Sequence, residues 1–231
     1  MRVKAEVTPL AWRCLALRGP GVGGPTAGGP AAGGPAEPHR GREEGGAIVD
    51  PSAGAARGWL MLPVRWSGVA GFDILGEEPE VPAGVRLCGD QAWEAVRVEA
   101  GVVRMGSELT ERTIPAETNL VEETVSFTKG CFTGQELVAR IDSRGNRVPR
   151  HLRGVVVGAG LIPPVGAELR LAGGKVVGSL TSVAWSPGLG ASVALAFVRR
   201  EVDPPTEVTL SWGDVVAPAR VEALPLQVSG G

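Results

Sequence analysis

Only three cysteines and two histidines occur in 231 residues. Cys14, Cys88 and Cys131 are odd in number, far apart and form no CxxC pair, which argues against a disulfide scaffold or a four-cysteine zinc site. A reducing cytoplasm is the expected compartment. His39 lies in a Gly/Pro-rich tract and His151 in RVPRHLRG, where both read as exposed or hydrogen-bonded loop residues. No metal site is expected. Apolar runs long enough to cross a bilayer are missing, as is the apolar core of a signal peptide, so no membrane partner is expected. An excess of basic charge is missing too. The formal charge is −2, so nucleic acid is not an expected partner.

What is present suits a globular chain: hydrophobic content is 43% and charged content 21%. The apolar alternation around Val3–Val7 and again from Trp12 to Leu17 predicts two short strands. Between Gly19 and Gly46, 16 of 28 residues are Gly or Pro, and GGP recurs at Gly23, Gly28 and Gly33. The tract has no aromatic residue with which to offset its ordering entropy, so a mobile surface insertion is expected. A phosphate-cradling glycine loop would need a strand–loop–helix setting and GK[ST], both missing. WLMLPVRWSGVAGFDIL, Trp59 to Leu75, predicts two strands joined at Ser67-Gly68. GDQAWEAVRVEAG predicts a helix with Asp90 as N-cap, Ala92, Trp93 and Val96 on one face, and Gly101 as its end. Glu99 falls near the helix C-terminus, where the dipole disfavours a carboxylate; this small conflict points to a partner, and an exposed glutamate at a helix end is the ordinary alternative. From His151 onward, HLRGVVV, GAELRLA, KVVGSLTSVAW, ASVALAFV, EVTLSW and VVAPARVEAL predict a small antiparallel barrel, with a boundary near Asn146–Arg150.

The densest stretch is FTKGCFTGQELVARIDSRG, Phe127 to Gly145. QELVARI supplies helix formers, with Leu137, Val138 and Ile141 on the apolar face and Gly145 as a stop. Cys131 then sits at or just before a helix N-terminus, and Lys129 is close in sequence. Both favour thiolate over thiol. The placement fits a reactive or ligand-facing thiol as well as it fits a small buried hydrophobe. Cys14, in a strand pattern, and Cys88, before a Gly-Asp turn, read as space-filling.

KGCFTGQE resembles the K-G-C-[FY]-x-G-Q-E signature of the YgfZ-type folate-binding proteins, relatives of the glycine-cleavage T protein. AWEAVRVEAG (Ala92 to Gly101) is similar to the family's helix ending in R-[IVL]-E-A-G. TIPAE (Thr113 to Glu117) resembles its T-x-P-x-E segment, and VGSLTSVAWSPGLGASVALAFV (Val177 to Val198) its C-terminal barrel pattern. The resemblance runs in order from about Trp59 to Glu222. It implies an α+β fold: T-protein-like folate-binding modules with antiparallel sheets, plus a C-terminal antiparallel β-barrel. It divides the chain into a remnant of a first folate-binding module (1–18), the flexible insertion (19–46), a folate-binding α+β region with the motif (47–148) and the barrel (149–231).

By the same resemblance, Cys131 is the signature cysteine and Lys129 its companion, the pair expected to carry any chemistry. Gly130, Gly134, Gln135 and Glu136 shape the loop and helix start. Glu99 aligns with the T-protein glutamate that contacts the pterin ring. A carboxylate suits that task because it accepts two hydrogen bonds from the ring's donors. Arg140 and Arg144 are candidates, by charge, for folate's glutamate tail. The implied cofactor is tetrahydrofolate or a one-carbon derivative. The implied role is assembly or repair of iron–sulfur enzymes, with client or carrier proteins as partners and with no turnover specified. Aminomethyl transfer in glycine cleavage is the second reading, and a non-folate-binding interaction module the third.

Three departures from the family pattern stand out. Phe132 replaces the frequent tyrosine, and the chain has no tyrosine anywhere. The 19–46 insertion is unusual. The first part of the family's first domain has no counterpart, so the chain is expected to be N-terminally truncated.

Overall fold

A computed structural model describes residues 10–19, 58–145, 147–158 and 160–226. The expected strand at Val3–Val7, residues 20–46 of the Gly/Pro tract and His39 lie outside them. The chain divides into two compact units, Met1–Leu87 and Cys88–Gly231.

In the first unit, β1 (Arg13–Arg18), β2 (Leu60–Trp66) and β3 (Val69–Gly76) form an antiparallel sheet in the order β1-β3-β2. The two-residue Ser67-Gly68 link is the hairpin turn read from the sequence, and Gly68, its second residue, takes a φ of 74° that glycine adopts without strain. Leu17 and Ile74 are buried on one face, with Leu15, Met61, Trp59 and Val85 packed against them. Arg18 reaches across to the Asp73 carboxylate at 2.8 Å.

The second unit opens with α1, Asp90–Glu99. Gly89, not Asp90, is its N-cap; Asp90 is the first helical residue, where its charge still meets the positive end of the dipole. The buried face also differs from the one expected: Ala95, Arg97 and Val98 are buried, and Trp93 and Val96 only partly. An arginine on the inner face is invisible to an apolar period, which is why the face was misread. The helix ends in a Schellman motif, with Val102 N–H donating to the Arg97 carbonyl at 2.9 Å and Gly101 N–H to Val98 at 3.1 Å. Gly101 has φ 74°, as an end signal requires.

A 3-10 turn at Pro115–Glu117, then α2 (Val121–Thr124) and α3 (Gln135–Asp142), lead to the barrel. α3 has the expected span, but its apolar face is thinly covered. Neither α2 nor α3 buries a residue, and Leu137 is exposed. Val138 and Ile141 share a small apolar cleft with Ile114, Pro115, Ala116 and Val121.

All six predicted barrel strands form: β4 (Arg150–Val157), β5 (Glu168–Arg170), β6 (Val176–Ser186), β7 (Ala191–Arg199), β8 (Thr206–Trp212) and β9 (Val215–Glu222). They close in the order β4-β7-β6-β5-β8-β9, with β9 returning to β4, every pair antiparallel. Closure leaves no unpaired sheet edge within the barrel. The interior is aliphatic, built on Val155, Val157, Leu169, Leu180, Val198, Leu210 and Val221. A second cluster on the outer surface packs Ala95 and Val98 of α1 against Leu152, Val193, Leu195 and Phe197, with Leu226 beside them.

Two tight places explain glycines in this barrel. A Cβ at Gly178 would stand 2.4 Å from the Phe197 carbonyl oxygen. One at Gly154 would stand 2.5 Å from Leu226 Cδ2. Among the described residues, no helix is long and apolar enough to cross a membrane.

Candidate functional site

Glu99 is the last residue of α1. Its carbonyl accepts the Leu226 N–H at 2.8 Å, so the C-terminal segment clamps the backbone that carries it. The side chain is half-buried and has no hydrogen bond or ion pair among the described residues. A carboxylate at the negative end of a helix dipole, partly shielded from water and without an internal donor, suits an external N–H donor.

Beneath that helix end lies a charged cluster that sequence reading missed. Arg97 is 3% exposed, Glu108 0% and Ser182 1%. The Ser182 hydroxyl donates to Glu108 Oε1 at 2.6 Å and accepts from Arg97 Nη2 at 2.7 Å. Arg97 Nη1 donates to the Val102 carbonyl at 2.6 Å and stands 3.4 Å from Glu108 Oε2. Glu108 Oε2 also accepts the Arg104 N–H at 3.0 Å. Glu94 bridges outward, at 2.8 Å from Arg97 and 2.7 Å from Arg104. The second missed pair is Glu117 of TIPAE, 3% exposed, which takes a two-point contact from Arg150 at 3.0 and 3.1 Å. Arg150 also lies over the Phe197 ring at 4.3 Å. Ser182 is 74 residues or more from the pair it joins and Arg150 is 33 from Glu117, and no local pattern signals these contacts.

The motif loop stands separately. Cys131 is exposed and three residues ahead of Gly134, the N-cap of α3, whose φ of 84° needs glycine. Phe132 N–H donates to the Gln135 Oε1 at 3.0 Å, so Gln135 folds the loop back on the helix start. Lys129 Nζ lies 5.0 Å from the centre of the Phe132 ring. Gly130 and Glu136 are exposed beside it. Arg140 and Arg144 are exposed, and their guanidinium groups have no ion pair among the described residues. The structure thus groups Lys129, Phe132 and Gln135; no described contact joins Glu99 to Cys131, Arg140 or Arg144.

The other two thiols are not space-filling: Cys14 and Cys88 are exposed as well. Partial shielding from water and then the Asp73 charge push the Cys14 thiol above its usual range, with Arg18 opposing them. His151 is on β4 rather than in a loop. It is half-buried, and its Nδ1 has no hydrogen-bond partner among the described residues. Among the described residues, no cluster of three or more His, Cys, Asp or Glu is arranged to hold a metal.

Fold and site together define a class: an α+β chain whose closed six-stranded antiparallel barrel carries a helix ending in a half-buried carboxylate. Residues 150–226 match the glycine cleavage T-protein C-terminal barrel domain. Among curated proteins, the chain is similar to an aminomethyltransferase of Nostoc sp., 35% identical over 157 residues, covering 63% of this chain and 41% of that protein. An aminomethyltransferase of Streptomyces coelicolor is 36% identical over 118 residues, covering 50% of this chain and 31% of that protein. An uncharacterized protein of Haemophilus influenzae is 41% identical over 75 residues, covering 31% of this chain and 26% of that protein. The chain thus spans about two fifths of the Nostoc protein's length, 41%. The crystal structure of the glycine cleavage system aminomethyltransferase T from Bartonella henselae has the same fold. The match has a TM-score of 0.59 and 24% identity, and covers 72% of this chain and 49% of that one. The chain thus carries, over residues 150–226, a barrel that matches the glycine cleavage T-protein C-terminal domain, and it shares the fold of an aminomethyltransferase.

Proposed function

We propose that the chain binds tetrahydrofolate or a one-carbon derivative through Glu99. We further propose that it acts as an accessory factor in the assembly or repair of iron–sulfur enzymes, with Cys131 as its reactive thiol. The observation that carries the folate reading is the Glu99 carboxylate, half-buried at a helix C-terminus and without a donor among the described residues. Glu99 would accept the N–H donors of the pterin, and the exposed Arg140 and Arg144 would meet carboxylates of the tail. Tetrahydrofolate supplies one-carbon chemistry when bound. The accessory role rests on the KGCFTGQE resemblance and on the exposure of Cys131. A lone thiol does not complete the ligand set of a cluster, so Cys131 would act transiently on a client or carrier protein.

Aminomethyl transfer is the second reading, and the curated relatives favour it, since several of them carry that name. The two share the folate site and differ in their use of Cys131: Cys131→Ser would spare aminomethyl transfer and abolish an accessory role.

Anaerobic calorimetric titration with tetrahydrofolate, beside Glu99→Ala, tests the shared part. Saturable binding that weakens at least about tenfold in the variant is expected, since two charge-assisted hydrogen bonds are lost. A folded chain that shows no binding, or a variant that binds as well as wild type, overturns the folate reading. The first outcome would leave an interaction module built on the barrel.

A further inference from the structure

Burying a charged pair is poor economy for stability alone, because desolvation offsets most of the attraction and apolar residues of the same size often serve as well. Yet Arg97 and Glu108 are almost completely buried, and they are joined by a serine from the barrel wall. The route by which that serine reaches them is informative. On β6, Leu180 pairs with Ala196 in the barrel interior, and strict alternation would turn Ser182 inward as well. A bulge between Leu180 and Ser182 breaks the register. Ser182 then pairs with Leu195, and Ala184 with Val193, both on the outer face that packs against α1. The bulge thus aims a hydroxyl out of an aliphatic core and into the Arg97–Glu108 pair.

The apolar contacts of α1 are made by Ala95 and Val98, short side chains that give shallow ridges. Apolar burial is non-directional and leaves such a helix free to roll. The hydrogen bonds that Arg97 donates to Ser182 and Glu108 are directional and stop the roll. Glu99 stands two residues beyond Arg97, about 200° further around the helix. A roll of ~20° at a side-chain radius of ~5.5 Å would carry its carboxylate about 2 Å, far outside hydrogen-bond tolerance.

We propose that Arg97, Glu108 and Ser182 form a positioning device that fixes the rotation of α1 on the barrel and so sets where Glu99 presents its carboxylate to a pterin. The ligand side of this statement rests on the folate reading above. Glu108 and Ser182 are positioning residues that act through Arg97.

The test compares wild type, Ser182→Ala and Ser182→Thr, the last of which keeps the hydroxyl. Three quantities are measured: tetrahydrofolate affinity by calorimetry, hydrogen exchange of the Leu226 amide that holds the Glu99 carbonyl, and melting temperature. Ser182→Ala is expected to lose about tenfold or more in affinity, and Ser182→Thr to recover most of it. The Leu226 amide should exchange faster in Ser182→Ala than the drop in melting temperature accounts for, and return to wild-type protection in Ser182→Thr. Wild-type affinity in Ser182→Ala overturns the proposal. So does Leu226 exchange that follows the melting temperature alone, the mark of a merely structural role. Wild type that does not bind tetrahydrofolate defeats the folate reading instead; the Leu226 exchange then decides by itself whether the helix is held in register.

Discussion

His151 sits on the same side of β4 as Val155 and Val157 and opposite Val198, all buried, yet its Nδ1 has no partner among the described residues. Burial pushes its imidazole below the usual range, the Arg153 charge adds to this, and the Glu117 charge opposes it. The folded chain therefore takes up this proton less readily than the unfolded chain. Stability from neutral His151 is fully present above the unfolded value of about 6.5 and is lost as pH falls through and below it. The melting temperature of wild type is expected to fall between pH 7.5 and pH 5.5 more than that of His151→Gln. Parallel curves would show that His151 does not carry the acid sensitivity. Arg153, two residues on, is likewise lowered by burial, with Asp203 opposing, and its Nε has no hydrogen-bond partner among the described residues. Residue-level chemistry of this kind was not legible in the sequence: HLRGVVV read as a strand from His151, but nothing in it showed that His151 faces the core. The strand begins one residue earlier, at Arg150, and turns His151 toward the core.

At the scale of elements, Gly178 of β6 lies hard against the backbone of β7. The ideal Cβ position at Gly178, 2.4 Å from a backbone oxygen of β7, leaves no room that a side-chain rotation could open. Gly178→Ala should therefore cost about 3 kcal/mol, the upper end for overpacking, and show it as a lower denaturation midpoint at unchanged m-value. A loss under about 0.5 kcal/mol, the size of an ordinary surface change, would mean the strands separate more easily than this geometry implies. The motif segment is the opposite case. Leu137, Val138 and Ile141 have helical spacing, so α3 was readable, but in the tertiary structure Leu137 is exposed, and Val138 and Ile141 meet Ile114, Pro115 and Val121 in a small cleft. A thinly packed helix and an exposed loop belong to the low-stability end of a fold, where partner-facing elements are drawn from.

For the whole molecule, the unit Cys88–Gly231 contains both the barrel interior and the outer cluster that α1 completes. A chain restricted to Cys88–Gly231 should therefore unfold in one cooperative calorimetric transition. A broad, non-cooperative melt would show that residues before Cys88 are needed to complete its core. The sequence by itself determined the β2–β3 hairpin, α1, α3 and all six barrel strands, because each is announced by a local period and a local stop. It also marked Glu99 as a carboxylate at the disfavoured end of a helix and Cys131 as a thiol in a loop. Only the tertiary structure decided that Arg97 faces inward, that Glu117 is spent on Arg150, and that Ser182 leaves the barrel core for the Arg97–Glu108 pair. The reason is physical: a hydrophobic period reports which side chains avoid water, whereas the burial of a polar or charged group is decided by a partner that no hydrophobic period reports, such as Ser182 for Arg97 or Arg150 for Glu117. A one-residue bulge then reverses every inward and outward assignment that follows it.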